Sequence, residues 1–181
     1  MLPQVEVVKD AMLGFLFRGL TAERPSATAL FDALTAEARQ KHWYVEGEVP
    51  DTLDGRFAVL ATITALANVR LERDEDEGER LSVALAERFI EVMESEHREL
   101  GLGDPGLGRT VRKLVTMLAK RTGLWREVAA GERNVIEATR ESLYREEAQP
   151  AAVQHSAAAL KMVAERLDRA TLAELEQGKL R

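Results

Sequence analysis

Alanine and leucine dominate the apolar residues of this chain, and that choice constrains its fold more than any motif does. The 181 residues include 26 Ala and 24 Leu but only 3 Ile, and aromatic residues make up 5%. Helices favour Ala and Leu, whereas strands favour β-branched and aromatic side chains. The composition therefore predicts an all-α protein.

The spacing of the apolar residues supports this prediction and indicates one domain. Apolar side chains recur every three or four positions between Gly and Pro residues, and no alternating stretch is long enough to predict a strand. We predict a single compact domain of six to eight helices over residues 21–181, preceded by a tail, residues 1–20, with a short apolar segment. The expected core side chains are Phe31, Leu34, Phe57, Leu60, Leu85, Phe89, Val92 and Leu114.

Side chains suited to capping predict where several helices begin. Ser26 and Thr171 are expected to cap the first and last helices, and either Asp51 or Thr52 the second. After Gly123, the residues Leu124–Ala129 are expected to form a separate short helix, because glycine favours a break.

Cysteine content and net charge exclude several classes of function. The chain has no cysteine, which excludes disulfides, cysteine-ligated zinc, iron–sulfur clusters and thiol catalysis. Its formal net charge of -6 argues against nucleic-acid binding by the whole surface but permits a local basic patch.

The most apolar segment, Met12–Leu20, is too short to cross a membrane and contains Arg18. Acidic residues precede it and no small-residue cleavage site follows, so it does not have the features of a signal peptide. We therefore expect a soluble protein of the cytoplasm.

Two motifs associated with cofactors or metals lack half of the chemistry that they require. Gly101–Gly106 has the G-x-G-x-x-G spacing, but a predicted helix precedes it and Pro105 removes one amide donor, so we interpret it as an interhelix turn. Glu94 and His97 have the spacing of half a di-iron site, but the second half is missing. We therefore predict no cofactor, no metal and no catalytic residue, against the alternative of a small enzyme that uses Glu94 and Glu96 with His97.

The acidic run at residues 72–79 does not match a calcium-binding loop, because Gly78 falls at the wrong offset from the acids that precede it. Charges of one sign repel one another and keep a segment extended. We expect a solvated loop here.

Residues 109–126 carry six basic side chains and no acid, in a chain that is otherwise rich in acids. A helix here would place Val111, Leu114, Val115 and Leu118 on one side. The cations opposite them form the predicted basic face, which consists of Arg109, Arg112, Lys113 and Lys120. Such a helix favours an anionic partner, namely lipid, nucleic acid or an acidic protein surface. An ordinary solvated face is an equally good interpretation.

A longer pattern resembles a known family. Val49–Phe57 reads Val-Pro-Asp-Thr-Leu-Asp-Gly-Arg-Phe, and Phe89 and Met93 lead to a second block at residues 97–104. Together with Ala36–Tyr44, this combination resembles the ubiquinol–cytochrome c chaperone family from about residue 30 to about residue 143. The matching motif residues are Pro50, Asp51, Thr52, Asp54, Gly55, Arg56, Phe57, Arg98, Glu99, Gly101, Gly103 and Asp104.

The resemblance implies an all-α assembly factor without enzymatic activity. Such a factor helps newly made cytochrome b mature into ubiquinol–cytochrome c reductase, works beside a membrane and the ribosome, and takes no small-molecule substrate. A nucleic-acid-binding regulator that uses residues 109–126 is the alternative. The motif residues themselves suit a structural role: Asp51 or Thr52 as a helix cap, Asp54 near the positive end of the helix dipole, and Phe57 in the core.

Overall fold

The computed structural model describes residues 26–99, 107–145 and 147–181, with side chains described for all of these except 96–99 and 107–111. Every regular element within these ranges is helical, which confirms the predicted fold class. The α-helices are α1 (Thr28–Ala38), α2 (Leu53–Leu71), α3 (Glu75–Glu99), α4 (Leu107–Ala129), α5 (Val135–Leu143), α6 (Pro150–Arg169) and the short α7 (Leu172–Glu176).

Helix α2 lies at the centre of the domain and contacts α1, α3, α4, α5 and α6. Every residue from Val59 to Leu71 is buried, so this helix has no solvent-facing side over that stretch. A helix whose side chains are apolar or small on every face is stable only inside a core. Its charged Arg70 is satisfied at the end of the helix, where it pairs with Asp74 and donates to the Ala170 carbonyl at 2.9 Å.

The surrounding helices each bury one stripe against α2 or its neighbours. Six of the eight predicted core residues are buried, whereas Phe57 and Val92 are only partly buried at the edge of the core. The buried stripes include Leu30, Phe31 and Leu34 in α1, Leu81, Leu85 and Phe89 in α3, Leu114 and Leu118 in α4, and Leu160, Val163 and Leu167 in α6.

The helix caps agree with the sequence at two of three positions. Thr52 caps α2 and accepts a hydrogen bond from the Gly55 amide at 3.2 Å, which decides between Asp51 and Thr52. Thr171 forms a full capping box with Glu174 at α7. Ser26 is not the N-cap residue of α1, which is Ala27, although Ser26 Oγ accepts a long hydrogen bond from the Thr28 amide at 3.5 Å.

Three further expectations need correction. The acidic run forms a 3-10 turn, Glu72–Asp74, and the first turn of α3 instead of a loop, because acids are favourable at the positive end of a helix. Helix α4 continues through Gly123 to Ala129, since tertiary packing on Leu124 and Trp125 outweighs the low helix propensity of one glycine. Val115 is exposed, because the buried stripe of α4 runs through Leu114 and Leu118 and leaves it outside.

Candidate functional site

The segment that carries the family-like motif is fixed mainly by its backbone. The Val49 amide donates to the Trp43 carbonyl at 3.1 Å, and both side chains are fully buried. Glu48 has a φ of 49°, in the left-handed region that non-glycine residues rarely adopt. The chain therefore enters α2 along a closely defined path.

Gly55 is required by a close approach in the first turn of α2. A Cβ atom at this position would lie 1.9 Å from the Pro50 carbonyl oxygen and 3.3 Å from the Val49 side chain. Because no non-glycine residue fits without a shift of the backbone, the motif glycine has a structural role.

Asp51, Asp54 and Arg56, the charged motif residues before and within the start of α2, lie on the surface and pair with one another or with a neighbouring element. Arg56 Nε donates to Asp51 Oδ1 at 2.6 Å, and this hydrogen bond lowers the pKa of the Asp51 carboxyl. Asp54 pairs with Arg145, beyond the end of α5, at 2.9 Å. Because both pairs are exposed, they contribute little to stability and their charges are accessible to a partner.

Phe57 lies between two open clefts. Its ring packs against the buried ring of Phe89 with centroids 5.7 Å apart, and it lines a cleft on either side. The motif thus places one aromatic side chain at the boundary between two cavities.

The first cleft, here called the α1–α3 groove, lies where α1, α2 and α3 meet and has a volume of about 750 Å³. Arg39, Lys41 and Arg56 supply its positive charges, with Asp51 as its acid. Its apolar lining consists of Ala38, Leu53, Phe57, Leu60, Val92 and Met93. Leu53 stands out because 44% of its surface is exposed although it is a large apolar residue.

The second cleft, here called the Arg121 cleft, has a volume of about 500 Å³ and lies between the start of α2, the middle of α4 and the end of α5. Arg121 donates from Nη2 to the Ser142 carbonyl at 3.1 Å. Burial, followed by the neighbouring Arg145, lowers the pKa of the Arg121 guanidinium, while Glu141 opposes this shift.

The structure divides the basic residues of α4 into three groups. Arg112 and Lys113 are exposed and form no ion pair with the described residues, whereas Lys120 lies 3.3 Å from Glu141. Arg121 points inward to Ser142, and Arg126 forms a bidentate pair with Glu72 at 2.6 and 2.8 Å. The predicted basic face is therefore free at Arg112 and Lys113 and partly neutralised at Lys120.

Several predicted motif residues fall where the structure describes no side chain. Gly101, Gly103 and Asp104 lie outside the described residues, and the side chains of Arg98, Glu99, His97 and Arg109 are not described.

Two polar contacts that the sequence analysis missed join distant parts of the chain. Tyr144 Oη donates to the Gly47 carbonyl at 2.5 Å and lies 2.8 Å from Ser156 Oγ. His42 Nδ1 lies 3.2 Å from His155 Nε2, and burial together with His155 lowers the pKa of His42, whereas Glu37 and Glu46 act in the opposite direction. No local sequence signal marks these pairs, because the partners are about a hundred residues apart.

Searches for metal sites and membrane spans are negative within the described part of the chain. Three or more potential metal-ligating side chains do not cluster anywhere among these residues. None of the described helices combines the length and the apolar character needed to cross a membrane.

Comparison with known proteins decides the family. The sequence profile of the ubiquinol–cytochrome c chaperones matches residues 46–181, which is well over half of the chain. This chain belongs to the ubiquinol–cytochrome c chaperone family. The resemblance seen in the motif residues is thereby confirmed.

A solved structure extends this result to the fold. The chain is similar to the crystal structure of the Cbp3 homolog from Brucella abortus, with a TM-score of 0.72 and 26% sequence identity over 93% of this chain and 94% of that one. No match was found among proteins of curated function. The family match covers the motif and the Arg121 cleft.

Proposed function

We propose that this protein is an assembly chaperone that binds newly made cytochrome b during biogenesis of ubiquinol–cytochrome c reductase. The observation that carries the proposal is the family match over residues 46–181. Family membership also argues for a binding protein without catalytic activity, cofactor or small-molecule substrate. We further propose that it works in the cytoplasm, close to the inner face of the cytoplasmic membrane.

The α1–α3 groove is the surface that we assign to the client. A membrane-protein segment before insertion exposes apolar side chains, and burial of apolar surface is the main favourable contribution to such binding. Leu53 and the partly buried Phe57 offer this surface, and Arg39 and Lys41 lie beside it. Cations flanking an apolar groove would favour a client segment whose ends carry acids.

Gene deletion and co-purification test the function. Deletion is expected to lower the amount of assembled ubiquinol–cytochrome c reductase while other respiratory complexes stay at their normal level. Affinity-tagged full-length protein is expected to recover cytochrome b under conditions of ongoing synthesis. Normal reductase levels in the deletion strain, or recovery of cytochrome b no better than that of unrelated membrane proteins, would refute the proposal.

A matched pair of variants tests the groove. Leu53→Gln removes an exposed apolar side chain from the groove, whereas Val83→Gln removes one on α3 that does not line it and is 53% exposed. We expect both variants to fold normally, since exposed substitutions usually change stability by less than about 0.5 kcal/mol. Only Leu53→Gln should lower recovery of cytochrome b, and equal recovery with both variants would place the client elsewhere.

The nucleic-acid alternative gains no support from the side chains of α4. Three of the six cations at residues 109–126 contact partners within the protein, namely Lys120 with Glu141, Arg121 with Ser142 and Arg126 with Glu72. The buried stripe of α4 packs into the domain core, and the net charge of the chain is -6. A recognition helix needs a dense and exposed basic surface.

A further inference from the structure

Two histidines join the turn after α1 to helix α6. His42 lies in the 3-10 turn Lys41–Trp43, and its Nδ1 lies 3.2 Å from Nε2 of His155 in α6. A hydrogen bond between two ring nitrogens needs one donor and one acceptor. The bond therefore forms when the pair is neutral or carries one added proton. It is lost when both rings are protonated, because two N–H groups then face each other.

The surroundings of His42 disfavour a second added proton. Burial, followed by His155, lowers the pKa of His42, and Arg166 of α6 acts in the same direction. Glu37 of α1 and Glu46, just after the turn, oppose this shift. Glu37 is already paired with Arg166 at 2.5 Å, and Glu46 is exposed, so water and salt screen its charge. We expect the pair to take up two protons in separate steps, the second at a pH below about 6.5.

The turn that carries His42 also forms one wall of the α1–α3 groove. Lys41 precedes the histidine, Tyr44 follows it by two residues, and both side chains line that groove. Tyr44 Oη donates to the carbonyl of Ala38, another groove residue, at 2.8 Å. The shape of this wall therefore depends on how the turn is held.

A second contact with α6 holds the far end of the same loop, residues 41–47. Tyr144 Oη donates to the Gly47 carbonyl at 2.5 Å and lies 2.8 Å from Ser156 Oγ in α6. Burial raises the pKa of the Tyr144 hydroxyl, so this contact keeps its charge state in neutral and acidic solution. The Gly47 amide also donates to the His42 carbonyl at 2.8 Å, which ties the two ends of the loop together. Loss of the histidine bond thus frees one end of the loop while the other stays anchored.

We propose that the His42–His155 pair is a pH-sensitive latch on the α1–α3 groove, and that a second added proton opens it by repelling the turn from α6. Opening displaces Lys41 and Tyr44, which removes one cation and one wall from the groove. The consequence for the client, which is weaker binding in acid, rests on the proposed function. The opening of the latch does not.

Nuclear magnetic resonance of the full-length protein between about pH 8 and about pH 5 tests the latch. The imidazole Cε1 protons report the two rings, the amides of Lys41 and Tyr44 report the turn, and the methyl groups of Leu53 report the groove. We expect the pair to bind its second proton at least about tenfold more weakly than its first. The signals of the turn and of the groove should change with the second step, while the helix content measured by circular dichroism stays constant.

Two glutamine variants separate the latch from ordinary titration, since the chain has three histidines. His155→Gln replaces the facing ring by an amide that does not titrate and whose oxygen can accept from protonated His42. In this variant His42 should titrate in one step, and the groove signals should lose most of their change with pH. His97→Gln removes the third histidine and should leave both steps of the pair unchanged.

Four results would each overturn the latch. They are titration of the two rings in a single step, groove signals that do not follow the second step, loss of helix before that step, and an undiminished groove response in a folded His155→Gln variant.

Co-purification at two pH values tests the consequence for the client. Tagged wild-type protein should recover at least about fivefold less cytochrome b at about pH 5.5 than at about pH 7.5, whereas His155→Gln should recover similar amounts at both. Equal recovery by the wild type at both pH values would overturn the effect on the client. Absence of cytochrome b at either pH would refute the proposed function, and the titration would still decide the latch.

Discussion

Replacement of Gly55 by alanine is the sharpest test of how the motif shapes the fold. In an open helix this change is favourable, because alanine is about 1 kcal/mol better than glycine in a helix interior. Here the added methyl carbon would lie 1.9 Å from the Pro50 carbonyl oxygen. Contacts between such atoms are normally above 3 Å, so either the turn before α2 or the first turn of α2 must move by about 1 Å.

The structure indicates what this movement costs. Val49 is fully buried beside the clash, so displacement of the turn disturbs packed side chains, which typically costs about 1–3 kcal/mol. The Gly55 amide also donates to the Thr52 cap at 3.2 Å, and loss of a cap costs about 1 kcal/mol. After the gain of about 1 kcal/mol in helix propensity is subtracted, we expect Gly55→Ala to destabilise the protein by roughly 1–3 kcal/mol, which corresponds to a fall in melting temperature of about 2–12 °C for a protein of this size.

Gly123→Ala is the matched control. Gly123 also lies within a helix, but apart from its chain neighbours and the backbone of its own helix no described atom lies within 4 Å of the position that its Cβ would occupy. This variant should gain about 0.5–1 kcal/mol and melt a few degrees higher than the wild type. Thermal and urea denaturation monitored by circular dichroism measures both variants. If Gly55→Ala is as stable as Gly123→Ala, the close approach to Pro50 does not constrain this turn and the structural interpretation of the motif is wrong.

Three further predictions address the core, the histidine pair and the basic face. Phe89→Ala should destabilise by roughly 3–5 kcal/mol, because the ring is fully buried, and an unchanged melting temperature would contradict its place in the core. The pKa of His42 lies below its ordinary value in the folded protein, so the unfolded chain takes up the proton first and the free energy of unfolding should fall as the pH drops below about 6.5. In urea denaturation at a series of pH values, His42→Gln should make the free energy of unfolding less dependent on pH in this range. A pH dependence equal to that of the wild type would exclude His42 as the cause. Replacing Arg112, Lys113 and Lys120 by Gln should leave the melting temperature unchanged and weaken sedimentation with anionic liposomes by about 1 kcal/mol per exposed charge, with a smaller share from Lys120 because it pairs with Glu141. Equal sedimentation of the variant and the wild type would identify an ordinary solvated face, and a parallel assay with ribosomes separates lipid from RNA.

The sequence predicted the features that depend on local spacing. The stripes through Leu30 and Leu34 and through Leu85 and Phe89 are buried as expected, because a helical period of 3.6 residues fixes which side chains share a face. The error at residues 72–79 came from treating like charges as a signal for an extended chain, although in a first turn the helix dipole stabilises them.

The candidate site could be predicted only in part. The motif located Phe57 and its neighbours, but neither cleft has a sequence signature, because each is built from segments far apart in the chain. Arg121 shows the limit clearly: the helical period places it seven residues after Leu114, on the buried side of α4, but only the position of α5 shows that it donates to the Ser142 carbonyl.

The residues that identify the family and the residues that we expect to bind partners are largely different. Thr52 and Gly55 are needed because the backbone folds tightly at the entry to α2, and any protein with this turn would require residues of the same kind. Leu53, between them, is free of that requirement, since it is exposed and lines the α1–α3 groove. Substitutions at Thr52 or Gly55 should therefore lower the amount of folded protein and its client binding together, whereas Leu53→Gln should lower client binding alone. That difference separates a motif that builds the site from the side chains that make the contact.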